Sequence, residues 1–112
     1  LLKTDYALEI VNVDDFSGKN KNTNLRLKGR VIGSEGKSRR EIERLTETTI
    51  SIYGKTVGII GEVTGVTDAR RAIENLLQGA THASVYKMLE KRRRSHRMQD
   101  MRVRLNIDSI EE

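Results

Sequence analysis

Two glycines three residues apart, Gly33 and Gly36, sit between two stretches that each carry a helical apolar stripe, and this limits how the chain can fold more than any other feature. Before them, Leu27, Val31 and Ile32 fall at helical spacing until Gly33 stops the pattern. After them, Lys37 to Glu47 places Ile42 and Leu45 three apart on one side and Lys37, Arg40 and Arg44 on another, the pattern of a helix with one apolar and one cationic face. A reversal in so few residues needs positive φ, which glycine supplies, and the missing Cβ lets another backbone approach closely. The helix that begins at Lys37 is expected to aim its unbonded N–H groups and positive dipole end at whatever lies over the turn, which suits a phosphate. Lys37, Arg40 and Arg44 can each neutralise a phosphate while the turn sets the register.

The flanking segments complete an order of elements. From Tyr6 to Val13, Tyr6, Leu8 and Ile10 alternate with Ala7, Glu9 and Val11, so a first strand with one buried face is expected, Tyr6 and Phe16 serving as core or loop anchors. Asp14 to Asn24 reads as a surface loop ending in a helix cap at Thr23 or Asn24. The segments Thr48 to Tyr53 and Thr56 to Ile60, separated by Gly54-Lys55, read as a hairpin. Thr67 or Asp68 is expected to cap a further helix carrying Ala69, Ile73, Leu76, Leu77 and Ala80. Past Gly79, Val85, Met88 and Leu89 prolong a helical stripe for two turns before the run Lys91-Arg92-Arg93-Arg94, too charged to bury. Val103, Leu105 and Ile107 alternate with polar residues, a pattern equally open to an edge strand or a flexible end.

Several functional classes drop out. The chain has no cysteine and two histidines, His82 and His96, fourteen apart with no ligand set around them, so no metal or other cofactor is expected and both histidines read as surface residues. The close carboxylate pairs Asp14-Asp15 and Glu41/Glu43 lie in a loop and on a charged helix face, and neither resembles an acid and base held apart in pKa. Gly36-Lys37-Ser38 lacks the glycine five residues earlier that a nucleotide-binding phosphate loop needs, because Val31 stands there. No catalysis is expected. With no stretch of roughly 20 apolar residues and no signal-peptide order at its N-terminus, the chain reads as cytoplasmic. Of 112 residues 36% are apolar, enough for one core, and a net charge of +5 fits a nucleic-acid partner. It starts at Leu1 rather than Met, consistent with a longer protein carrying a preceding domain.

The run Val31-Ile32-Gly33-Ser34-Glu35-Gly36-Lys37, followed by Ile42 and then Thr48-Thr49-Ile50-Ser51-Ile52, resembles the signature of the type I KH domain. The likeness covers about Tyr6 to Gly79, and the tail from Gly79 to Tyr86 resembles that of the archaeal Dim-two and Partner-of-Nob proteins of small-subunit ribosome assembly. The resemblance implies an α+β fold of order β-α-α-β-β-α, a three-stranded antiparallel sheet packed by three helices, with residues 1–80 as the KH domain and 81–112 as a basic helical extension. It further implies binding of single-stranded RNA near the 3′ end of small-subunit rRNA, with the Nob endonuclease or a translation initiation factor as protein partners. KH domains clamp about four nucleotides with the GxxG loop. Carried onto this chain, the RNA-binding residues are Arg30, Ile32, Gly33, Ser34, Glu35, Gly36, Lys37, Arg40, Arg44, Ile52 and Tyr53, with Ser51 beside them.

Three departures stand out. The middle of the turn is Ser34-Glu35 where the family usually has a Lys or Arg. Arg39 replaces an apolar residue common three places after the second glycine. Aromatic residues are only 4% of the chain, which leaves Tyr53 as the stacking candidate by the groove. A second GxxG match, Gly58 to Gly61, has an apolar middle and reads as strand. For Lys91 to Arg97 a solvated helix end, RNA contact and protein docking all remain open. Glu35 sustains one rival reading, a KH scaffold without RNA binding that docks proteins through the helix around Val85 to Leu89.

Overall fold

The computed structural model describes residues 5–111, with side chains described for residues 5–103 and 105; Leu1, and with it any reading of what precedes it, lies outside them. Strand β1 (Tyr6–Asn12) leads through a single turn, α1 (Asp14–Ser17), to α2 (Lys21–Ile32). A 3-10 turn over Ser34–Gly36 joins α2 to α3 (Lys37–Thr46), and then come β2 (Thr49–Tyr53), β3 (Thr56–Glu62), α4 (Val63–Leu77) and α5 (His82–Glu111). The three strands are antiparallel in the order β1-β3-β2, so β2 is an edge. This is the α+β KH architecture with a helical C-terminal extension.

The helices cover one face of the sheet, and their shared contacts form a single core. Ile42 of α3, Ile50 of β2, Ile59 of β3 and Ile73 and Leu76 of α4 are fully buried in it, each contributing on the order of 1.5–3 kcal/mol of transfer free energy. The β1 parity is opposite to the sequence expectation. Val11 and Val13 are buried, while Tyr6 (72% exposed), Leu8 and Ile10 line the open outer face beside Ile60. The register explains this: Val11 pairs with Val57 and Glu9 with Ile59, both inward on β3, and Glu9 forms an ion pair with Arg70 of α4 at 3.2 Å. Once β3 sets the inward face, its β1 partners must follow, because side chains alternate strictly along a strand. Phe16 does pack against the core.

Other expectations shift at the helix ends. The supposed loop after β1 holds α1, and Asn20 rather than Thr23 or Asn24 caps α2, accepting the Thr23 N–H at 3.1 Å. Helix α4 starts five residues before Asp68, without a side-chain cap. A Cβ on Gly65, in its first turn, would lie 2.3 Å from the Thr46 carbonyl oxygen, so glycine there lets α4 press against the end of α3. Asp68 instead sits inside α4, 5% exposed, where it receives Arg92 Nε at 2.6 Å and His96 Nε2 at 3.0 Å. With Val85 and Leu89 buried, that cluster fastens the first half of α5 to the domain. The segment with Val103 and Leu105 continues as helix, not strand, and exposes both side chains; the side chain of Ile107 is outside those described. Neither histidine is incidental: His82 Nε2–H donates to Arg30 O at 2.8 Å.

Candidate nucleic-acid interface

Helix α2 ends because Gly33 adopts φ 76 and ψ 174, a combination essentially restricted to glycine. Its N–H still closes α2 on Gly29 O at 2.8 Å, but the extended ψ swings the following peptides out of the helix. Glu35 and Gly36 are left-handed, φ 56 and φ 75, and the turn closes by Gly36 N–H on Gly33 O at 3.2 Å and Lys37 N–H on Ser34 O. The Lys37 amide is therefore occupied within the turn, which corrects the expectation that the first amide of α3 is bare. Ser34, Glu35 and Lys37 are exposed. Ser38, 1% exposed, lies directly beneath: a Cβ on Gly33 would be 2.6 Å from its Cβ. The Arg40 guanidinium folds over Gly36, with Nη1 3.0 Å from where a Cβ would stand.

The cationic residues of the predicted set fall into two groups. Lys37 and Arg40 are exposed beside the turn with no carboxylate in ion-pair range among the described residues. Arg44 is exposed but paired with Glu41, whose hydrogen bond raises the guanidinium pKa while the same bond from Arg44 lowers that of Glu41. Arg30 is turned away. Its Nε donates to Leu76 O at 3.0 Å and its Nη2 to Ala80 O, so its charge caps the C-terminal end of α4, where a cation is favoured.

The opposite wall is the free edge of β2. Ile50 directs its N–H to Glu43 Oε2 at 2.7 Å and its C=O to Arg39 Nη1 at 3.5 Å, so residues of this parity face away from β3. Ile52, two residues on, presents its N–H and C=O along the same edge, with no protein partner for either among the described residues. Lys28 reaches from α2 to Gly54 O at 2.8 Å, bridging helix and strand at the far end. Ile32, at the end of α2, and Ile52 are half-buried, and Tyr53 stands 86% exposed at the strand's end. The sequence reading missed the bridging roles of Lys28, Arg39 and Glu43; the only trace of them was the odd charge at position 39. Gly58 to Gly61 lies within β3, as expected.

The result is a surface that carries an exposed glycine turn with two free cations, the half-buried apolar side chains of Ile32 and Ile52, and an unpaired strand edge. The family model of a eukaryotic-type KH domain (KH domain type I), that of the second KH domain of PNO1, matches residues 7–94. A KH domain-containing protein of Methanocaldococcus jannaschii is 50% identical over 93 residues, covering 83% of this chain and 40% of that protein. The pre-rRNA-processing protein PNO1 of Debaryomyces hansenii is 32% identical over 82 residues, covering 73% of this chain and 32% of its own. Among solved structures, a protein of unknown function from Aeropyrum pernix superposes with a TM-score of 0.86 at 34% identity, over 96% of this chain and 55% of that one. The a/eIF2alpha-aDim2p-rRNA complex from Pyrococcus horikoshii superposes with a TM-score of 0.75 at 39% identity, over 84% and 50%. The chain thus spans less than half the length of these curated relatives.

Proposed function

This chain belongs to the type I KH family, in the branch that holds PNO1 and archaeal Dim2, and on that premise we propose that it binds single-stranded ribosomal RNA during small-subunit assembly. The observation that carries the reading is the juxtaposition of the Gly33–Gly36 turn, with Lys37 and Arg40 unpaired beside it, and the open edge of β2. Phosphates would lie over Ser34 and Glu35 against those two cations. The bases would then face Ile32 and Ile52, and the free N–H and C=O of Ile52 offer one donor and one acceptor to a base edge. Tyr53, exposed at the end of β2, would offer its ring for base stacking. Arg44 joins the phosphate face if RNA displaces it from Glu41, whereas Arg30 contributes by holding α2 in place. The rRNA in the complex of the Pyrococcus relative supports the choice of RNA. The a/eIF2alpha in that complex supports a translation initiation factor as protein partner, and kinship with the Partner-of-Nob proteins supports the Nob endonuclease. In this reading residues 1–80 bind RNA and 81–112 are an extension, the protein works in the cytoplasm, and it is not an enzyme. No helix of the described residues is long and apolar enough to cross a membrane.

The test is fluorescence anisotropy with short single-stranded RNA from the 3′ region of small-subunit rRNA, comparing the wild type with the double substitution Ser34→Asp and Glu35→Asp. Both glycines stay, and Asp accepts the left-handed conformation at position 35, so the fold is preserved while negative charge at the phosphate site rises. Loss of binding is expected; equal affinity refutes the turn as the clamp. Glu35 at the apex favours the rival docking reading, and pull-down after nuclease treatment separates the two, because a docking module keeps its partners once RNA is gone.

A further inference from the structure

Five arginines among the described residues are half-buried: Arg30, Arg39, Arg70, Arg92 and Arg93. Three are held by strong acceptors: Arg30 by two carbonyls, Arg70 by Glu9 and Glu74 and Arg92 by Asp68; Arg93 lies 4.0 Å from Glu47. Arg39 differs. Among the described residues no carboxylate is in ion-pair range of it, and its one hydrogen bond, to Ile50 O, is 3.5 Å long, at the limit where such a bond has little strength. The neighbouring Ile50 N–H is by contrast firmly taken by Glu43 at 2.7 Å. A desolvated cation without a good acceptor is costly, so a ligand that supplies one gains more here than at the solvated Lys37 or Arg40.

Resting on the RNA-binding reading above, we infer that Arg39 reads a base rather than a phosphate. It sits on the strand side of α3, one step along the β2 edge from Ile52, whereas the phosphate-facing cations lie beside the glycine turn. A guanidinium is a planar fork of donors and matches two adjacent acceptors. Guanine offers such a pair at O6 and N7, and cytosine offers one at N3 and O2. Adenine and uracil interleave donors with their acceptors and present no such pair to the fork. The cleft is therefore specific for guanine or cytosine at the nucleotide opposite Arg39. Glu43, fixed by Ile50, stands beside it with a second carboxylate oxygen able to accept from a base amino group.

The experiment uses eight-nucleotide uridine RNAs that carry a single G, C or A at each of the four central positions, titrated by anisotropy against the wild type, Arg39→Lys and Arg39→Ala at several salt concentrations. At one position the wild type should favour G or C over A and U by about tenfold. Arg39→Lys keeps the charge but not the fork, and should lose that preference with the salt slope unchanged; Arg39→Ala should lose it too. Unfolding midpoints of both variants report whether the fold is intact. Two results overturn the inference: a wild type that binds RNA without base preference, or an Arg39→Ala protein that keeps its preference and loses about one unit of salt slope, the signature of a phosphate contact. Failure of the wild type to bind any of these RNAs strikes the RNA-binding reading itself and is distinct from both.

Discussion

The two glycines of the turn look equivalent in the sequence but should respond very differently to alanine. At Gly36, φ 75 and ψ 12 are ordinary left-handed helical angles, and the nearest atom to an added Cβ is the tip of the flexible Arg40 side chain, 3.0 Å away. Alanine there costs about 1–2 kcal/mol of backbone strain, because the arginine can move aside. At Gly33, φ 76 with ψ 174 lies in a region closed to other residues, worth roughly 1–3 kcal/mol. The added Cβ would also meet Ser38 Cβ at 2.6 Å and the Ser38 backbone nitrogen at 2.7 Å. Neither is free to retreat, since Ser38 is buried in α3, and forced overpacking of this kind adds about 1–3 kcal/mol. Gly33→Ala should therefore cost about 4 kcal/mol, against the 5–15 kcal/mol that holds a typical domain folded. Urea unfolding followed by circular dichroism reads the difference. With a slope of about 2 kcal/mol/M, the Gly33→Ala midpoint should fall by roughly 2 M and the Gly36→Ala midpoint by less than about 1 M. Equal shifts would mean that the close contact between Gly33 and Ser38 does not exist in solution, and with it the stacking of the turn on α3.

Four further outcomes follow from particular contacts. Lys37→Ala and Arg40→Ala should each reduce the log-log salt slope of RNA binding by about one unit, measured by anisotropy between low and moderate salt; an unchanged slope places that residue off the phosphates. Arg92→Ala leaves the buried Asp68 carboxylate with His96 alone and should cost about 2 kcal/mol, less than for a fully buried pair because Arg92 is partly solvated. Adding Asp68→Asn should recover part of that loss in the same urea assay, and additive losses would argue against the pairing. Glu47 ends α3 in the left-handed conformation, φ 55, so Glu47→Gly should raise the unfolding free energy by up to about 1 kcal/mol, read as a higher urea midpoint. The hydrogen bond from Lys55, with a second from Asn24, holds the Asp14 carboxyl below its usual pKa. A carboxyl lowered in the folded state stabilises above the ordinary value near ~3.9 and loses that contribution as pH falls through its folded value. Asp14→Asn should thus be less stable than the wild type at neutral pH, and the two should converge in acid.

The strands and their pairing were legible because β-branched runs bounded by Gly54-Lys55 leave little choice, yet the inward face of β1 was not. Both of its parities carry apolar residues, and Tyr6, Leu8 and Ile10 are the larger set. The decision lies in contacts distant in sequence: β3 buries Val57 and Ile59, and the register then turns Val11 inward and brings Glu9 to Arg70. Helix α4 was placed too late for a related reason. Asp68 is a plausible cap by residue type, but its carboxylate is answered by Arg92 and His96 more than twenty residues away, which local pattern cannot reveal. The same two residues account for the misreading of part of the basic run and of one of the two histidines, His96, since part of that charge holds α5 down rather than remaining free.

The cleft shows how charge gains meaning from its surroundings. By type alone Arg30, Arg39, Arg40 and Arg44 are interchangeable cations near a glycine turn, and spacing on a helix can separate only faces. Arg30 belongs to a helix whose inner side meets the end of α4, so its donors go to Leu76 O and Ala80 O and little of its field is left for a ligand. Arg44 shares a helix face with Glu41 and is partly neutralised there. Arg40 and Lys37 keep their charge in water, where phosphate attraction is long-ranged, salt-sensitive and indifferent to base identity. Arg39 is half out of water, beside a strand edge that already exposes peptide donors and acceptors, and there a planar cation can discriminate between bases because an unmatched partner would leave it desolvated. On the reading proposed above, affinity and specificity separate along opposite sides of α3, and an acidic Glu35 in the turn is offset by the attraction that Lys37 and Arg40 supply.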